Sequence, residues 1–138
     1  MTNQDSSIDI KELKQQVSTK KEERLAQIIQ LGEIVQKQAL TNNFQPQELQ
    51  QLAQNVLATD KIIYKLSATI LKESRSLENC PSCQQPNASN AKFCGNCGTL
   101  NPLFAEQQAE KSTCSTCEET IPSDCAFCPC CGVKQEAF

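Results

Sequence analysis

Histidine and tryptophan are missing from this 138-residue chain, which also has one tyrosine, one methionine and four glycines. Each shortage removes something. Without histidine, no imidazole can act as general base or metal ligand. The few aromatics argue against one large mixed core. No glycine-rich nucleotide loop and no nucleophile triad is present. No run of ~18 apolar residues occurs, so no membrane-spanning helix is expected. The start, MTNQDSSIDI, lacks the basic-then-apolar order of an export signal. Basic residues are not in excess: 13 Lys and Arg stand against 16 Asp and Glu, a net charge of −3. That balance gives no fold-wide electropositive surface to hold nucleic acid by counterion release.

Cysteine is what the chain has in quantity. There are ten, and all follow Glu78. Thiols in a chain without an export signal point to a reducing compartment, where paired cysteines are more often metal ligands than disulfides. A cytoplasmic protein is expected. The cysteines, rather than a hydrophobic core, must account for any small folded unit in this part.

Residues 1–79 carry nearly all the Leu, Ile and Val, so composition alone marks a boundary. A helical hairpin is expected over 7–78. Ser6 and Asp9 stand in the capping-box relation ahead of the first helix. Ile10, Leu13 and Val17 start its apolar seam, which turns polar through Lys20, Lys21 and Arg24. The seam resumes one position late at Leu25, Ile28, Leu31 and Val35, as a stutter would produce. Gly32, inside this helix, costs ~1 kcal/mol against alanine and is either room for close helix approach or simply a tolerated glycine. Thr41, Asn42 and Asn43 end the pattern. Pro46 suits a first helical position, Glu48 that of a capping glutamate, and Phe44 and Leu49 have staple spacing. Leu49, Leu52, Val56, Thr59, Ile63, Leu66, Ile70, Glu73 and Leu77 then alternate at 3 and 4. Two such helices joined by a short loop imply an antiparallel, coiled-coil-like pair with arms of roughly 45 Å. Leu57, Ile62 and Leu71 fall outside the seam and need a cover. The cysteine half, a second copy (a homodimer) or a protein partner would serve.

The second half is a duplication. Cys80, Cys83, Phe93, Cys94, Cys97 and Gly98 recur as Cys114, Cys117, Phe127, Cys128, Cys131 and Gly132, every pair offset by 34. Each copy reads C-x-x-C, ten residues, C-x-x-C-G. Two residues between cysteines let one tight turn aim both sulfurs at a point. Two facing turns then set four thiolates at tetrahedral corners, ~2.3 Å from zinc. Glycine after the second pair accepts a left-handed backbone. The metal also answers the energetics. A unit this small cannot bury enough apolar surface alone, whereas structural zinc contributes on the order of 10 kcal/mol. Two zinc ions are therefore expected, one on Cys80, Cys83, Cys94 and Cys97, the other on Cys114, Cys117, Cys128 and Cys131. Phe93 and Phe127 are expected to cap the two small cores.

These motifs, with the Ile121–Pro122 pair, resemble the double zinc ribbon family over roughly 79–133. The resemblance implies a tandem of metal-bound β units (zinc fingers of the ribbon type) acting as adaptor or recognition modules. It places ribbon 1 at 79–100, a linker at 101–112, ribbon 2 at 113–133 and a tail at 134–138. Gln84 and Glu118 depart from it, standing where the family often has glycine. The helical half resembles no family.

Cys125 and Cys130 are spare; Ala91 and Asn96 stand at the matching places of the first copy. Cys125 and Cys128 also make a C-x-x-C, but Phe127 and Gly132 align only if Cys128 and Cys131 are the ligands. The spares are either small neutral residues or a redox element that releases zinc on oxidation. Four thiolates leave no open position on zinc, so a non-enzymatic interaction module is expected. Residues 80–138 carry three lysines and six acids, and formal counting of two loaded sites brings the ribbon half near −7. Nucleic acid is thus the less favoured partner, and a nucleic-acid-associated accessory and a thiol switch are the alternative readings.

Overall fold

The computed structural model describes residues 9–75, 79–80, 82–87, 91–101, 104 and 108–136. Helix α1 spans Ile10–Thr41 and helix α2 Pro46–Arg75. Strands β1 (Lys111–Thr113) and β2 (Thr120–Pro122) pair antiparallel in the second ribbon. Ser6, Leu77, Pro81 and Pro102 lie outside the described residues. The architecture is a helical hairpin followed by small β units built on cysteine clusters. No helix among the described residues is long and apolar enough to cross a membrane.

Asp9 itself is the N-cap of α1; its carboxylate accepts from the Lys11 N–H at 2.9 Å. Asn42 ends the helix in the left-handed region, at φ 49°, a conformation that asparagine tolerates better than most residues. Pro46 opens α2 where a missing N–H costs nothing. The expected capping by Glu48 is replaced by a relay. Buried Gln38 accepts from the Gln45 N–H at 2.9 Å and donates to the Glu48 carboxylate at 2.8 Å. One α1 side chain thus caps α2 and fixes the loop. Phe44 stays mostly exposed.

The seam of α1 corrects the stutter. Ile10, Leu13, Val17, Lys20, Gln27, Leu31, Ile34 and Gln38 are the buried or half-buried positions, and Arg24 reaches across to Asp60. With Arg24 included, the spacing alternates strictly between 3 and 4. The repeat runs on through its polar members because α2 satisfies them: Arg24 donates to Asp60, and the Thr59 hydroxyl donates to Gln27 at 2.9 Å. A one-position offset turns a side chain ~100° around a helix. Leu25, Ile28 and Val35 therefore leave the seam and lie exposed, together with Ile29. On α2 the 3–4 seam from Leu49 to Glu73 is buried or half-buried throughout. Contacts at 24–60, 27–59 and 38–48 show the two helices to be antiparallel. Among the described residues of the hairpin, only Val17 and Val56 are buried hydrophobics; Gln38 and Thr59 are buried beside them.

Part of the apolar surplus on α2 is covered by ribbon 2. Leu57 and Tyr64 pack against Cys114, Cys117, Ile121 and Cys128. The Tyr64 hydroxyl donates to the Thr120 carbonyl at 2.9 Å, and Lys65 lies 3.3 Å from Glu119. The first copy has Gln85, Pro86 and Asn87 at the places of Glu119, Thr120 and Ile121, so it offers neither that carboxylate nor that apolar side chain. Ile62 and Leu71 remain exposed.

Candidate metal centres

Each cysteine pair sits on one tight turn, and the four turns share one hydrogen-bond pattern. Backbone N–H groups of Gln84, Gly98, Glu118 and Gly132 donate to the carbonyls of Cys80, Cys94, Cys114 and Cys128 at 2.8–2.9 Å. All four donors lie in the left-handed region, with φ of 63°, 75°, 62° and 76°. The turns thus need that conformation whether or not glycine is present. Gln84 and Glu118 adopt it against their β-carbon, as the departure at these places requires.

The repeat survives as register. Asn79 bridges Pro86 as Thr113 pairs with Thr120, and Phe93 bridges Leu100 as Phe127 bridges Lys134, each 34 residues on. Cys94 and Cys128 donate through their N–H groups to the Thr99 and Val133 carbonyls in the same way.

The turns bring Cys80, Cys83, Cys94 and Cys97 into one cluster and Cys114, Cys117, Cys128 and Cys131 into another, with sulfurs within 4.8 Å of one another in each. Across facing turns the sulfurs are 3.6 and 3.7 Å apart in the first cluster, 3.8 and 3.7 Å in the second. A tetrahedron with zinc–sulfur bonds of ~2.3 Å has edges of ~3.8 Å. The donor set and its spacing fit two zinc ions, one per ribbon.

The surroundings favour thiolates at particular places. Thr99, through its hydroxyl and its N–H, holds Cys97 down at about 6. The Cys117 N–H does the same for Cys114, also about 6. Burial pushes Cys131 up to about 12, so its ionisation draws on the metal's charge. The second cluster is the more enclosed: three of its cysteines are buried, against two in the first, where Cys97 is exposed.

Phe93 and Phe127 do not cap the cores. They are 53% and 60% exposed, and the Lys92 ammonium lies 5.5 Å from the Phe93 ring centre. The two-residue alternation of a hairpin points them away from the sulfurs. Ile121, 1% exposed, is the core residue of ribbon 2. Sequence reasoning singled it out only through the family resemblance. The spare cysteines stay outside the clusters. The Cys125 thiol donates to the Pro122 carbonyl at 2.9 Å, and burial beside the second cluster pushes Cys130 up to about 12.

Two cysteine turns per metal, each stiffened by a short β pairing and repeated in tandem, define a pair of zinc ribbons. Residues 80–132 match the double zinc ribbon family model, and this part of the chain is a double zinc ribbon. Comparison with the curated proteins and with the solved structures found no match.

Proposed function

We propose that the protein is a non-enzymatic interaction module, with helices that associate with protein and ribbons that supply a rigid, zinc-held surface. The observation that carries this reading is the stripe of Leu25, Ile28, Ile29 and Val35, exposed on α1 while Lys20, Arg24 and Gln27 hold the middle of the seam. An apolar stripe that the hairpin does not use is what a helical docking face requires. Four thiolates saturate tetrahedral zinc and leave no position for water or substrate, which supports a structural role for both metals. The acidity of the ribbon half disfavours nucleic acid as partner, and cysteines gathered as metal ligands fit a reducing, cytoplasmic setting.

Affinity capture of the zinc-loaded chain from its native cell, with and without Leu25→Lys, tests the reading. The expected result is a protein set, other copies included, that the substitution removes. Capture of nothing above background would overturn it. A salt-dependent shift of generic DNA or RNA would instead favour the nucleic-acid alternative.

A further inference from the structure

The two metal sites differ in how far solvent reaches them. Among the eight ligands Cys97 alone is exposed. Its sulfur lies 3.6 Å from that of Cys80, on the facing turn. In the second site three ligands are buried and the fourth, Cys131, is half-buried. Leu57 and Tyr64 of α2 pack over that cluster. The spare cysteines do not reverse this order. Cys125 and Cys130 are half-buried against the same enclosed cluster, and the Cys125 thiol is tied to the Pro122 carbonyl.

The ribbons also differ in what holds them besides metal. In ribbon 2, Ile121 is a buried aliphatic side chain and Tyr64 bonds to Thr120. In ribbon 1 the buried hydrophobic side chains among the described residues are Cys80 and Cys94, themselves ligands. Asn87 stands at the place of Ile121. Ribbon 1 therefore keeps its order only while its ligands are joined through the metal.

We propose that ribbon 1 is a redox-sensitive element, opened when hydrogen peroxide links Cys97 to Cys80, while ribbon 2 stays closed on the hairpin. A cysteine that ligates zinc is a thiolate, the nucleophilic form. The exposed Cys97 thiolate attacks one peroxide oxygen. An S–O bond forms, the O–O bond breaks, and the departing hydroxide takes a proton from solvent to become water. Cys97 is then a sulfenic acid. The Cys80 thiolate attacks the Cys97 sulfur, so that the S–S bond forms, the S–O bond breaks and a second hydroxide leaves, also to become water. The two sulfurs lose two electrons and the peroxide gains two. Cys83 and Cys94 are left, too few to hold the ion. The proposal concerns the metal centres and is independent of the helical docking face.

Hydrogen peroxide added in steps to the zinc-loaded full chain tests it, with zinc counted by native mass spectrometry and cysteine links mapped on alkylated peptides. The expected result is loss of one zinc first, with a Cys80–Cys97 link, at a rate about tenfold or more above loss of the second. Tyr64 fluorescence stays unchanged over that first step, and a thiol reductant with added zinc restores the loaded chain. Tyr64→Ala, which thins the cover of the second cluster, should bring the second loss closer to the first, with helicity by circular dichroism retained. Simultaneous loss of both zinc ions, a first link other than Cys80–Cys97, or two zinc ions retained under peroxide each overturns the proposal. So does a Tyr64→Ala chain whose second site is oxidised no faster than in the parent, since cover is then not what protects it.

Discussion

Single residues set the geometry of the metal sites and of the helix junction. Gln84 and Glu118 hold left-handed backbones at φ 63° and 62°, where an L-residue loses ~1–2 kcal/mol. Glycine removes that strain but costs ~0.5–1 kcal/mol of unfolded-state entropy. Gln84→Gly and Glu118→Gly should each therefore tighten zinc modestly, up to about fivefold for ~1 kcal/mol. Competition against a chromophoric chelator would measure it, and unchanged or weaker affinity in both would contradict the strain. Gln38 is the other sensitive residue. It is buried and joins the Gln45 N–H to the Glu48 carboxylate. Gln38→Ala leaves both without that partner and should cost ~1–3 kcal/mol of hairpin stability, read from thermal or urea melts. This role was not legible in the sequence. A glutamine on a helix looks like a solvated face, and only the fold of the loop brings Gln45 back to it.

At the scale of elements, ribbon 2 acts as a third packing partner of the hairpin. Tyr64 is the chain's one tyrosine and there is no tryptophan, so its fluorescence reports this contact alone. Unfolding ribbon 2 with Cys117→Ser should raise acrylamide quenching of Tyr64, and Cys83→Ser in ribbon 1 should not. Equal quenching in the two variants would mean that ribbon 2 does not cover the tyrosine. Tyr64→Phe deletes the 2.9 Å bond to the Thr120 carbonyl. It should lower the unfolding free energy by ~1 kcal/mol, read from urea melts of the variant against the parent chain. The helices themselves were legible from periodicity and caps. The path of the α1 seam was not: Leu25, Ile28 and Val35 look like its continuation until Thr59 and Asp60 are seen to satisfy the polar positions. Hydrophobic pattern alone cannot report a polar residue whose partner sits on another helix.

For the whole molecule, the two ribbons are alike in ligands and unlike in support. The second cluster is more buried, and its ribbon is anchored to α2 through Glu119, Thr120 and Ile121. Chelator titration of a fully loaded chain should release two zinc per chain in separable steps. The first step should leave Tyr64 fluorescence unchanged and the second should alter it, since packing on the helix adds to the free energy holding the second metal. Simultaneous release, or a fluorescence change in the first step, would put the two ribbons on an equal footing.

The sequence by itself determined the metal centres. Eight cysteines at fixed short spacing, duplicated 34 residues on, specify tetrahedral thiolate sites through local turn geometry that needs no distant partner. It likewise determined two long helices, since caps and a 3–4 repeat are local signals too. Only the tertiary structure decided that ribbon 2 packs on the hairpin, which α1 residues enter the seam and which stripe is left exposed. Those outcomes depend on pairs far apart along the chain, such as Tyr64 with Thr120 and Arg24 with Asp60. Neither member of such a pair carries a mark of the other until the backbone brings them together.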